Sequence, residues 1–162
     1  MKTNHIVKLS DGLEFFSMCA IDSLGAYSLF HKDVEINSIC SNTGNKIYIK
    51  IKDRKIFEHY PNDIHVIHVD LNKNKNWAST CWNIMNFFGS KNDMEEWIKN
   101  QNINNDTIFL LDLNTAFEVA TAIFKLWNYK IIKIKGALFY YKSSFKNIIF
   151  YNKLLFYFQF GK

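Results

Sequence analysis

The sequence predicts a single compact α+β domain, an antiparallel sheet with helices packed against it, and three observations carry that prediction. The chain's 162 residues suffice for one core and are too few for two comfortable ones. Hydrophobic residues make up 48% against 22% charged, the balance of a chain that buries surface rather than staying solvated. Paired runs of strand-like alternation separated by turn residues stand beside stretches of helical period, so strands and helices share the domain.

In chain order, residues 5–9 form a short strand, and Asp11-Gly12 is a turn signal before residues 13–30, an apolar run long enough for a buried helix. Val34, Ile36, Ser38 and Cys40 then alternate with Glu35, Asn37 and Ile39. Past Asn42-Thr43-Gly44-Asn45 the alternation resumes as Ile47, Ile49 and Ile51 against Tyr48, Lys50 and Lys52, an antiparallel hairpin. Residues 64–70 make a further strand, and the Asn/Lys-rich stretch 72–76 a solvated loop. Periodicity leaves residues 77–88 open between strand and helix, with strand favoured for the second half. Ser90 with Asp93 resembles a capping box, and Met94, Trp97 and Ile98 supply the apolar side of a short amphipathic helix. A strand over 107–111 follows. Asn114 can cap a helix in which Phe117, Ala120, Phe124 and Trp127 fall on one stripe.

The chain divides into a core over residues 1–128 and a basic aromatic tail over 129–162. The tail holds seven lysines, no acid and 11 aromatic residues, so the formal charge of +5 lies at one end and the body is slightly acidic. Arg54 is the single arginine. A duplex-binding face needs Lys and Arg spread over the fold, so the core is not expected to bind nucleic acid. Lysines interrupt every apolar run of the tail, which disfavours a transmembrane helix. The tail can pack on the core as an extra strand or helix, lie on an anionic membrane surface, or stay a poorly ordered terminus. The N-terminal residues carry no apolar signal core. Three cysteines spaced 21 and 41 apart form no disulfide framework, which fits free thiols in a reducing cytoplasm. Nothing in the sequence sets the oligomeric state.

Cys19 and Asp22 are the first candidates for chemistry. Three residues apart on the expected helix 13–30, they share a face in a stripe with Phe15 and Ala26, so a thiol and a carboxyl can meet one ligand. An Asp on an apolar stripe is partly desolvated, which favours its protonated form. Taken alone, such a pair reads more simply as a small buried thiol beside an Asp bonded to nearby backbone. Cys40, on the face of Val34 and Ile36, is expected to be a packed core thiol. Cys81, in Trp77-Ala78-Ser79-Thr80-Cys81-Trp82, sits among aromatics that either bury it inertly or make a dry pocket for a soft metal. His65 and His68 point to opposite faces of their strand, giving no zinc signature. Phosphate-loop, dinucleotide and nucleophile-elbow motifs are absent.

The string Phe16-Ser17-Met18-Cys19-Ala20-Ile21-Asp22-Ser23-Leu24 resembles the first active-site segment of the organomercurial (alkylmercury) lyases, a Cys-Ala-x-Asp helix entered from a short strand and turn. Ser38-Ile39-Cys40-Ser41-Asn42-Thr43-Gly44 resembles that family's Ser-x-Cys-x-x-Thr-Gly turn. Cys81 through Asn86-Phe87-Phe88-Gly89-Ser90 to Glu96-Trp97 resembles the segment bearing its second active cysteine. The landmarks occur in family order over residues 6–127. The family's usual winged-helix-like N-terminal segment is not expected here, Asn86 stands where the family often has His, and the tail has no counterpart.

The resemblance implies an alkylmercury-lyase-like fold and a carbon–mercury lyase that cleaves by protonation, yielding a hydrocarbon and Hg(II). It makes Cys19 and Cys81 the thiols that hold mercury, Asp22 the group that relays the proton, and Cys40 structural. It implies no resident cofactor, a small organomercurial substrate, and a low-molecular-weight thiol to take off the product. The alternative is a non-catalytic relative that binds or senses a soft metal through the same thiols.

Overall fold

A computed structural model of the chain describes residues 3–73 and 82–125, with backbone strands at 131–134 and 137–140. Its elements are β1 (Ile6–Leu9), β2 (Glu14–Phe16), α1 (Ala20–Phe30), β3 (Val34–Ile39), β4 (Lys46–Lys52), β5 (Lys55–Tyr60), β6 (His65–Val69), β7 (Phe87–Phe88), α2 (Lys91–Asn100), β8 (Ile108–Asp112), α3 (Leu113–Lys125), β9 (Ile131–Ile134) and β10 (Ala137–Tyr140). A five-stranded sheet runs β2-β1-β3-β4-β5 and a three-stranded one β7-β6-β8, all pairs antiparallel. The strands β9 and β10 pair as an antiparallel hairpin. The expected mixed architecture of antiparallel sheet and packed helices is what the chain adopts.

Alternation places the core. Val7, Leu9, Val34, Ile36, Ile47, Ile49 and Ile51 are all buried on one face of the large sheet, with Ile36 opposite Ile49 and Val34 opposite Ile51. Each such side chain, fully withdrawn from water, contributes about 1.5–3 kcal/mol before entropy is counted. The other face is wetter: Lys50 donates to Glu35, its direct cross-strand neighbour, at 2.9 Å. The turn from β4 to β5 has Asp53 at φ 50° and Arg54 at φ 63°, the left-handed pair that matches strand twist in a two-residue hairpin. The sequence reading did not anticipate β5. Lys55, Phe57, Glu58 and Tyr60 are exposed on this edge strand, so it lacks the buried alternation that would mark it.

Residues 13–30 do not form one helix. Glu14–Phe16 pairs with β1 as β2, so Phe15 belongs to a strand and not to the stripe of Cys19 and Ala26; the helix begins only at Ala20. An apolar run carries no periodic mark where a buried strand gives way to a buried helix, which is why hydropathy alone merges them. The α1 helix is central, burying Ala20, Ile21, Ser23, Leu24, Gly25 and Ala26. Gly25 leaves room for α3: a Cβ there would collide with the ring of Phe124.

Two other boundaries differ from expectation. The cap of α3 is Asp112, whose carboxylate accepts from Thr115 N at 2.8 Å and Thr115 Oγ1 at 3.0 Å, leaving Asn114 inside the helix. In the second half of 77–88, only Phe87–Phe88 is strand; residues 82–84 form a helical turn. By contrast, Ser90 caps α2 as expected, accepting from Asp93 N at 3.1 Å, and Met94 and Ile98 are buried beneath it. The expected loop 72–76, Trp127 and most of the tail fall wholly or partly outside the described residues.

Candidate active site

The strand β2 ends at Phe16, and Ser17 and Met18 carry the chain to the entrance of α1, where Cys19 is the N-cap. Cys19 has extended backbone (φ −149°, ψ 175°), and its Sγ accepts from Asp22 N at 3.5 Å. A sulfur thus occupies the position usually held by a hydroxyl or carboxylate oxygen, against the unsatisfied amides of a helix start.

The backbone beneath the thiol is pinned. Ser23 donates to the Cys19 carbonyl from its amide at 3.0 Å and from its hydroxyl at 2.9 Å. Ser17 Oγ reaches the same carbonyl at 3.4 Å and is also bonded to Ser23 Oγ, both serines being fully buried. From the other side, Ala20 N donates to the Met85 carbonyl at 2.9 Å, which fastens the first turn of α1 to the segment leading into β7.

Asp22 follows within the first turn. Its carboxyl is lifted to about pH 6, because burial penalises the anion more than the hydrogen bond from Cys19 favours it. Part of Asp22 still reaches solvent while Cys19 is buried. The pair is therefore a thiol and a poised carboxyl in direct contact, an arrangement able to pass a proton from sulfur to oxygen and on to a third atom.

Of the three residues that sequence singled out for chemistry, Cys19 and Asp22 are brought together, though as N-cap and first-turn residue and not as two points on a helical stripe. Cys81 lies outside the described residues. Cys40 is buried where β3 gives way to a turn, its amide bonded to the Asn45 carbonyl at 2.8 Å and its carbonyl to Gly44 N at 2.8 Å. Among the described residues, no group of three or more His, Cys, Asp and Glu is placed to hold a metal ion, and no helix is long and apolar enough to cross a membrane.

Sequence reasoning missed the buried polar groups behind the site. His5 is buried with Nδ1 2.8 Å from Ser38 Oγ and its side chain bonded to Asn86, and burial draws its pKa down to about 4. The signal was present: His5 shares inward parity with Val7 and Leu9, so an ionisable ring was bound for the core.

The profile of the alkylmercury lyase family (MerB) matches residues 1–125. Proteins named alkylmercury lyase from Bacillus cereus and Clostridium butyricum are each 28% identical to the chain over 88 residues, 54% of this chain and 40% of theirs. The matched stretch thus spans well under half the length of those relatives. A crystal structure of the mercury-bound form of MerB2 shares the fold, with a TM-score of 0.68 at 21% identity, covering 78% of this chain and 59% of that one.

Proposed function

The chain belongs to the alkylmercury lyase family, and on that premise we propose that it cleaves the carbon–mercury bond of small organomercurials by protonation. The observation that carries this reading is the hydrogen bond between the Cys19 thiol and the Asp22 carboxyl at the entrance of α1. Mercury is soft and prefers thiolate sulfur. As Cys19 Sγ bonds to the metal of R–Hg–X, the group X departs as its anion and the thiol proton passes to the ionised Asp22. The protonated carboxyl then delivers that proton to the carbon; the carbon–mercury bond breaks, R–H leaves, and Hg(II) stays on thiolate. No electrons are gained or lost overall.

Cys81 is assigned as the second thiolate that holds Hg(II), from its place in the family-like segment ending at Glu96-Trp97. Cys40 has no part in the chemistry. A low-molecular-weight thiol takes off the metal, which suits a reducing compartment such as the cytoplasm. No resident cofactor is invoked.

A relative that merely binds or senses mercury needs the thiols but not the carboxyl. The test is therefore Asp22→Asn, incubated anaerobically with phenylmercury and excess small thiol. Benzene release should fall by about 10²–10⁴-fold, the scale of a lost proton donor, while Hg(II) affinity stays within a few-fold of the parent. Benzene release unchanged in this variant, or none from the parent protein despite tight Hg(II) binding, would refute the proposal.

A further inference from the structure

Behind the site runs a buried polar seam that the chemistry does not use. His5 lies 5.6 Å from Phe87, edge to face, with Ser38 on one side and Asn86 on the other. Its partners fix its protonation. Asn86 Nδ2 donates to the Asn83 carbonyl at 2.9 Å, and its bond to the ring favours a protonated ring nitrogen, the sense of a ring N–H donating to the amide oxygen. The ring is therefore the Nε2–H tautomer, donating to Asn86 and accepting the Ser38 hydroxyl at Nδ1. Burial keeps it neutral through the physiological range.

The seam leads to the catalytic helix. Asn86 is held on its backbone as well, its amide donating to the Ile84 carbonyl at 2.9 Å and its carbonyl receiving Ile67 N at 3.4 Å. The residue before it, Met85, is buried and offers its carbonyl to Ala20 N, the amide next to Cys19. At the other end of the seam, Ser17 N donates to the His5 carbonyl at 3.0 Å, and Ser17 is one of the residues pinning the Cys19 backbone. His5 thus grips both chain segments that meet at the start of α1, one through its ring and the other through its backbone.

We infer that His5 is a positioning residue: through Asn86 it fixes the segment whose Met85 carbonyl receives the first amide of α1, and so holds Cys19 and Asp22 in register for turnover. The inference rests on the proposed lyase reading for its effect on rate, but the latch itself is a statement about hydrogen bonds that can be measured without any turnover. A 1 Å misplacement of reacting groups is enough to cost a large factor in rate.

Two variants separate latch from bulk. His5→Phe keeps an aromatic ring beside Phe87 and removes both ring hydrogen bonds; His5→Gln retains an amide able to donate to Asn86. In folded His5→Phe, kcat for benzene release should fall about tenfold or more with KM within about twofold, the mark of a lost transition-state arrangement. Exchange of the Ala20 amide should quicken by about tenfold relative to amides of β4. His5→Gln should recover most of both. If His5→Phe does not fold, Asn86→Ala removes the acceptor from a half-buried position and should reproduce the pattern. Parental kcat in a folded His5→Phe or Asn86→Ala overturns the inference, as does a lost kcat with an undisturbed Ala20 amide. Should the parent protein release no benzene, the lyase reading fails; the latch then stands or falls on Ala20 exchange alone.

Discussion

Cys19 and Cys40 are each 1% exposed, yet their surroundings differ. Cys40 closes β3 in a turn, bonded through its backbone to Asn45 and Gly44, with Gly89 close to its Cβ. Cys19 opens a helix, takes an amide into its sulfur and is hydrogen-bonded to a carboxyl whose own affinity for protons has been raised by burial. Exposure alone cannot separate the two thiols; their donors and titrating neighbours do, and on these the proposed roles rest.

The comparison can be sharpened first through pH. If Asp22 must be ionised to take the thiol proton, kcat/KM should decline below about pH 6 by roughly tenfold per pH unit, with a midpoint that follows the Asp22 carboxyl. A flat profile from pH 7 to 5 would detach the carboxyl from the reaction.

The same carboxyl should weaken the fold. Its folded-state pKa stands above its ordinary value of 3.8, so the stability it contributes is complete below that value and is lost as pH rises through about 6. Replacing it with an uncharged isostere removes that loss. Asp22→Asn should therefore raise stability at pH 8 by about 1–3 kcal/mol relative to the parent, and by little at pH 3.5. Denaturant unfolding at the two pH values measures it; no gain at pH 8 would mean that the Asp22 anion is not penalised by burial.

At the opposite end of the first helical turns, chemistry gives way to packing. Gly25→Ala should cost about 1–3 kcal/mol, because the added methyl must displace the Phe124 ring where α1 and α3 meet. Thermal unfolding at the parent's midpoint would show this, and an unchanged midpoint would mean that the two helices separate freely. The smallest effect belongs to an ordinary cap. Ser90→Ala should cost about 1 kcal/mol through loss of the bond to Asp93 N, without changing turnover.

Much of this was visible in the sequence, and the rest was hidden for physical reasons. The β3–β4 hairpin and the cap of α2 were legible because alternation and a serine three residues before an acid are local signals. The extent of α1 was not, since a run apolar throughout has no period to mark its entry; the family-like segment, a strand and turn leading into Cys-Ala-x-Asp, gave the better boundary. The edge strand β5 was invisible because its residues Lys55, Phe57, Glu58 and Tyr60 face water. Asp112 outcompeted Asn114 as a cap through two bonds to Thr115 that composition could not rank. Of the site, the Cys19 and Asp22 spacing was legible, but their direct bond and the His5 seam needed β1, β3 and the segment before β7 to be brought together.

The most direct test of the contrast between the two buried thiols is headspace gas chromatography of benzene released from phenylmercury by the parent protein, Cys19→Ser and Cys40→Ser, each folded and supplied with excess small thiol. Release is expected from the parent, release within a few-fold of it from Cys40→Ser, and loss of about three orders of magnitude or more from Cys19→Ser. Equal release from parent and Cys19→Ser, or loss confined to Cys40→Ser, would contradict that expectation.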